Sequence, residues 1–525
     1  MMTGTRLPAR LSNLVPAPLN HIGHLAKRNN STRAVLLSLL VLLIGACTPI
    51  PTVPYRNGKV DLTEHVCNPM ADGTVPNTCK SDAPLERADN YDLLFSEFDD
   101  QGWLSEDAAK ATIGLSKPES GQRQDTCTLD GASETNGIAR IKNFLVHQIP
   151  PDQKLLVVVY VHGWKHTAAP DDQNVQVFRQ QLNSLGEKEA PGGTRVVGIY
   201  VGWRGVPYAS ADVLEDLTFW NRKAAAEKIA RGSINELFGY LEALERIRNG
   251  PLSEGPAMAD AKGLLSDCEV TNGGREGASV DRHNASAQLG TMRTIYVGHS
   301  FGGLIVYEAV ENGLLARIAS GELSIEQGMK DTIPRAPDLV VLLNPAVEAA
   351  RFQPVYRLMT ARTYTHVQAP LMAIVTSDAD SATRYAFPLG EEFTHEDWKS
   401  EQQRQATLQT IGHDKDFVTH RYVVKESPEG GSCDADWSSG KWPRCVGTKW
   451  ELKRYCIARK PLPVWNITTV KAIIPDHNDV YEPGPLALIS QLMFDVREHP
   501  TILKSSPVDD VDEGGMCVPD APPTQ

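Results

Sequence analysis

Runs of consecutive apolar residues recur along the middle of the chain, separated by stretches whose apolar positions follow a helical period. Leu155-Leu-Val-Val-Val-Tyr-Val161 and Arg195-Val-Val-Gly-Ile-Tyr-Val201 are nearly uninterrupted. Such runs fit strands buried on both faces, because a half-solvated strand alternates apolar with polar positions. Residues 294–297, 339–343 and 371–375 continue the series, and 466–470 is placed to close it. Helical periodicity lies between them at about 172–186, 212–247, 302–318, 346–359 and 485–496. The alternation predicts an α/β protein with a mostly parallel central sheet and helices on both faces. Two stretches break the rhythm. Residues 249–290 are rich in Gly, Ala, Ser, Asn and Asp and read as a surface insertion; 381–462 is charged, Trp-bearing and reads as a larger one.

The ends read differently from this body, which is expected to span 86–502. Residues 1–46 carry Arg6, Arg10, Lys27, Arg28 and Arg33 and no acidic residue, and Ala34 to Ala46 form an apolar run of 13 residues. A bilayer-spanning helix needs about 20, so a signal segment is the better reading than an anchor helix. Ile44-Gly-Ala-Cys47 resembles the bacterial lipobox, whose cysteine is acylated and becomes the first residue of the mature chain. The resemblance implies an exported protein held to a membrane through Cys47. Thr48 replaces the aspartate that retains such lipoproteins in the inner membrane, which favours the outer membrane. Residues 47–85, poor in periodicity, read as a flexible tether, and 503–525 as a loose tail.

Charge and cysteines narrow the partners. With those five basic residues set aside from 52 Lys and Arg, 47 face 65 acidic residues, a net charge of −18. An acidic body repels a phosphate backbone and argues against nucleic acid. Eight cysteines remain beyond Cys47, an even number that suits disulfides in an exported chain. Cys67/Cys79 and Cys433/Cys445 are the pairs nearest in sequence. No C-x2-C spacing occurs, so no metal is expected.

Candidate chemistry concentrates in Thr294-Ile-Tyr-Val-Gly-His-Ser-Phe-Gly-Gly303. Gly298-x-Ser300-x-Gly302 follows a strand and precedes a helical pattern, the setting of a nucleophile elbow. There the serine sits on a strained turn, side chains two positions away would strike backbone, and helix N–H groups face a developing oxyanion. The segment resembles the α/β-hydrolase superfamily. That resemblance implies an α/β-hydrolase fold with a large insertion between acid and histidine, and a Ser-His-Asp triad needing no cofactor. It also implies that His162-Gly163, after the 155–161 strand, precedes an oxyanion donor, so that the N–H groups of Trp164 and Phe301 form the hole and His162 is structural. The acid is expected after the 371–375 strand, where Asp378 and Asp380 compete; Ser377-x-x-Asp380 resembles the family's turn and favours Asp380. Among 14 histidines, His477 lies after the last strand-like run, where the family keeps its base. His299 points away from the Ser300 face, and His395, His413 and His420 read as surface residues of the insertion. Trp398, Trp437, Trp442 and Trp450 either line an apolar acyl site or pack a disulfide-stapled core.

The implied function is an exported, lipid-anchored hydrolase of small-molecule or lipid carboxylic esters. Thioesters and amides use the same triad, and a non-catalytic envelope module on the same scaffold is the alternative of another class. Such modules usually lack the nucleophile or the base, and hydrolases of haloalkanes or epoxides carry aspartate where this chain has Ser300. Oligomeric state has no signature in the sequence.

Overall fold

The computed structural model describes residues 54–58, 81–105, 137–205, 219–249, 290–326, 337–362, 364, 368–388, 398–425, 433–437, 441–455, 458 and 461–498. The expected signal segment, Cys47, the 249–290 insertion apart from its two ends, Cys67/Cys79, His395 and the 503–525 tail lie outside them.

Eleven strands form one mixed sheet: β1 (Leu85–Arg87), β2 (Tyr91–Glu97), β3 (Lys154–Val161), β4 (Thr194–Gly202), β5 (Met292–His299), β6 (Leu339–Leu343), β7 (Met372–Ser377), β8 (His420–Val424), β9 (Arg444–Val446), β10 (Trp450–Arg454) and β11 (Val464–Thr469). Their spatial order is β1-β2-β4-β3-β5-β6-β7-β11-β8-β10-β9. From β2 across to β8 every pairing is parallel; β1, β10 and β9 pair antiparallel at the two sides. The chain is therefore of the α/β class. Central strands are buried on both faces, with all of β3 but Lys154 and all of β6 buried, as their uninterrupted apolar sequences require.

The helices are α1 (Gly137–Asn143), α2 (Gln173–Glu189), α3 (Phe219–Arg231), α4 (Ile234–Asn249), α5 (Phe301–Glu326), α6 (Ala349–Thr360), α7 (Glu401–Leu408) and α8 (Pro483–Glu498). Asp172 caps α2, its carboxylate accepting from the Asn174 N–H at 2.8 Å. Strand β4 lies to one side of β3 and β5 to the other, so the order reverses between β3 and β5. Right-handed crossovers then send α2 to one face and α3 to α6 to the other. Accordingly α2 packs on β2 and β4, and α5 on β3, β5 and β6. The gap at the carboxyl ends of β3 and β5 is the place where open α/β sheets bind ligands.

Three expectations change. The single helix expected over 212–247 breaks at Gly232, because its backbone lies against Gly102: a Cβ on Gly232 would fall 2.3 Å from the Gly102 carbonyl oxygen. Residues 381–462, expected as an insertion, are partly built into the central sheet, since β8, β10 and β9 extend it beyond β11. These strands are short and mix charged with apolar residues, several of the charged ones being buried, so no apolar run marks them. Within the stretch read as a tether, residues 54–58 are docked on the body. The Arg56 guanidinium is 2.8 Å from Glu86 and lies over the Phe95 ring, and the Arg56 backbone N–H donates to Glu97.

The Cys433–Cys445 pair is a disulfide with Cα atoms 5.1 Å apart. Trp437 and Trp442 pack beside it with Trp465 and the Arg444 guanidinium, and Trp437 Nε1 donates to the Cys445 carbonyl at 2.8 Å. Trp437 belongs to the core of the sheet extension, and Trp442 is half-buried against it. Among the described residues no helix is long and apolar enough to cross a membrane.

Candidate active site

Ser300 stands between the end of β5 and the start of α5 with φ of +55°. A left-handed serine is uncommon and persists only where its surroundings hold it. Its N–H donates to the Leu343 carbonyl at the end of β6, and its own carbonyl accepts from Leu304 and Ala346. The flanking glycines follow from contact. A Cβ on Gly298 would lie 2.6 Å from the Gly302 carbonyl oxygen, and one on Gly302 would lie 2.1 Å from that of Val161.

His477 and Asp380 complete a line of three side chains. His477 Nε2 is 2.8 Å from Ser300 Oγ, and His477 Nδ1 is 2.8 Å from Asp380 Oδ1. Asp380 is fully buried. It also accepts the Ala382 and Thr383 N–H groups at 3.1 Å and the Thr383 hydroxyl. Burial alone would raise its pKa; the adjacent His477 and the Thr383 donors outweigh that and hold the carboxyl below its ordinary value. Asp378 sits on the same turn but is exposed, and burial of its surroundings raises its pKa against the pull of Arg421 and Arg384. The structure brings Asp380, not Asp378, to His477.

The turn after β3 comes up beside the serine. A Cβ on Gly163 would fall 2.9 Å from Ser300 Cβ, so only glycine allows this approach, and Trp164 follows it. The Phe301 N–H is the first of α5, where the helix leaves its N–H groups without intrahelical acceptors. The two expected oxyanion donors are therefore the residue after Gly163 and the residue after Ser300, the pair in close approach. The Trp164 ring meets Phe219 edge-on at 5.4 Å, and Phe219 packs on Phe301 at 4.8 Å, which ties that turn to α3 and α5.

His162 lies beneath the turn. Its Nε2 accepts the Trp203 N–H at 3.0 Å, so Nδ1 carries the proton and donates to the Gly163 carbonyl at 2.9 Å. Stacked on Trp203 and fully buried, it is pushed down to about 4 by loss of solvent and stays neutral.

Two supports were not read from the sequence. Asn344, just past β6 with φ of +42°, donates to the His477 carbonyl at 2.9 Å and accepts the Ser377 N–H at 3.0 Å. An asparagine closing the apolar run Leu339-Val-Val-Leu-Leu343 was its only sequence signal. His299, expected to point away from the Ser300 face, packs its ring 5.0 Å from that of His477, and its Nε2 donates to the same His477 carbonyl at 3.0 Å. Burial, with His477 beside it, lowers its pKa to about 3 and keeps the ring neutral. His420, expected at the surface, is buried against Trp465 and Trp442. His413, expected there too, is half-buried, and its Nε2 lies 3.0 Å from the Thr383 hydroxyl. Among the described residues no group of His, Cys, Asp or Glu is placed to hold a metal ion.

No protein-family model matches the chain, and no curated protein or solved structure matches it.

Proposed function

We propose that the chain is a serine hydrolase of carboxylic esters on an α/β-hydrolase fold, exported and anchored through Cys47. The observation that carries the reading is the continuous contact Ser300 Oγ, His477 Nε2, His477 Nδ1, Asp380 Oδ1, with 2.8 Å at each hydrogen bond, built on a left-handed serine. The strand–turn–helix setting of Ser300, the chain order serine, acid, histidine, and the turn after β3 beside the nucleophile support the family assignment. The antiparallel additions at both sides of the sheet are peripheral to it.

On this reading each side chain has one role. His477 takes the Ser300 proton as Oγ attacks the acyl carbon, and Asp380 keeps the proton of His477 on Nδ1 and stabilises the imidazolium. The N–H groups of Trp164 and Phe301 hold the oxyanion. His477 then protonates the leaving alcohol and activates the water that frees the acyl group. Esters are proposed over thioesters and amides because they are the commonest substrates of the scaffold.

A fluorophosphonate probe and a p-nitrophenyl ester series test this on the full chain. Labelling and turnover are expected in the parent protein and absent in Ser300→Ala, with His477→Ala losing at least about a thousandfold in kcat. Labelling that persists in Ser300→Ala overturns the reading.

A further inference from the structure

The carboxylate of Asp380 is held on both oxygens. Oδ1 meets His477 at 2.8 Å, while Oδ2 takes the hydroxyl of Thr383, a buried residue. That hydroxyl also contacts His413 Nε2 at 3.0 Å. A threonine hydroxyl has one hydrogen to give, and an ionised carboxylate can only accept. The hydrogen of Thr383 therefore goes to Asp380, and at the second contact His413 Nε2–H must be the donor.

Position and charge agree with that assignment. His413 sits on a turn fastened to the sheet and its helices: Ile411 N–H donates to Val347 at 3.0 Å, and Asn466 Nδ2 donates to Ile411 at 2.9 Å. A Cβ on Gly412 would fall 1.9 Å from Thr376 Oγ1, so the turn lies against β7 itself. The titratable groups around the ring are Asp380, Arg384 and His477. Burial lowers the His413 pKa to about 4, so near neutral pH the ring has a single N–H. If that hydrogen moved to Nδ1, Nε2 would become an acceptor and draw the Thr383 hydroxyl away from Asp380.

We propose that His413 and Thr383 are positioning residues for the triad: His413 Nε2–H commits the Thr383 hydroxyl to Asp380 Oδ2, which aims Oδ1 at His477. The inference rests on the triad reading of Ser300, Asp380 and His477. It gives the first part of the 381–462 stretch a task, since both residues belong to it, and that task is orienting the acid.

The test combines a spectroscopic signature with kinetics on the full chain. With histidine rings labelled by 15N, the Nδ1–H of His477 is expected as a downfield proton, assigned by its loss in His477→Gln. His413→Leu and Thr383→Val are each expected to move this proton upfield or lose it to exchange. His413→Gln and Thr383→Ser, which keep the donors, are expected to retain it. In ester turnover the two disruptive variants should lose about tenfold in kcat with KM within about twofold, and the conservative ones should stay near the parent. An unchanged His477 proton and unchanged kcat in both disruptive variants overturn the relay. If His413→Leu does not fold, Thr383→Val against Thr383→Ser decides alone. A downfield proton that depends on His413, in a protein without Ser300-dependent labelling or turnover, would instead sink the hydrolase reading.

Discussion

At the scale of single residues, the question that most needs an answer is which aspartate serves His477. Asp380 is buried, accepts four hydrogen bonds and has its pKa lowered, whereas Asp378 is exposed two positions earlier on the same turn. Replacing the acid by its amide leaves the shape intact but favours the wrong histidine tautomer, a change that costs about four orders of magnitude in kcat in the serine protease triad. Asp380→Asn is expected to lose about three to four orders, and Asp378→Asn to remain within about threefold, both read from steady-state ester turnover. A larger loss in Asp378→Asn would reverse the assignment. Asn344 belongs to the same scale. It bridges the end of β7 and the carbonyl of His477, so the base is fixed from its backbone as well as from its ring.

Elements set the next level, and the amino end of β5 carries a feature unrelated to the candidate site. Glu245 on α4 accepts the Thr294 hydroxyl of β5, with Asp338 close by. Burial, reinforced by the neighbouring Asp338 charge, raises its pKa from 4.5 to about 9. Between those values the folded chain holds a proton on Glu245 that the unfolded chain releases. Stability from this group is therefore complete below about pH 4.5 and lost as pH rises toward 9. Glu245→Gln, which mimics the protonated acid, should flatten that decline. Urea midpoints measured at pH 5, 7 and 9 check it: the parent is expected to fall relative to the variant over the series, and parallel curves would contradict the prediction.

For the whole molecule, the docked segment 54–58 joins the start of the body to its core. Arg56 is buried between Glu86 and Glu97, and Arg179 shares Glu86 from the α2 side. Removing Arg56 leaves Glu86 paired with Arg179, so the loss is that of charge-assisted hydrogen bonds rather than of a stranded charge, about 1.5–3 kcal/mol. Arg56→Ala should lower the unfolding free energy by about that much in denaturant titration, with kcat little changed because the triad lies elsewhere. Residues N-terminal to this segment bear on location. Cys47→Ser, expressed in a bacterial host, should move the protein from the membrane to the soluble fraction and remove incorporation of labelled palmitate. Retention on the membrane without lipid would point to another anchor.

Much of the fold was legible because its central strands are buried on both faces, so their sequences are apolar without interruption. The six strand-like runs became β3, β4, β5, β6, β7 and β11, each to within a few residues. Strands β8, β9 and β10 escaped because they are short and carry charged residues, three of them (Arg444, Glu451 and Arg454) buried, which break up any apolar run. The glycines about Ser300 were readable for a related reason: a turn that tight excludes side chains at particular positions, and exclusion leaves a mark in the sequence. Local chemistry thus determined where the candidate nucleophile stands. Only the tertiary structure decided which aspartate reaches His477, and it alone brought His413 to Thr383 and Asn344 to the His477 carbonyl. Those contacts join residues 30 to 133 positions apart through the packing of β6, β7 and the turns beyond them. Hydrogen-bond partners at such separations leave no spacing in the chain to read, because the distance between them is set by the sheet rather than by the sequence.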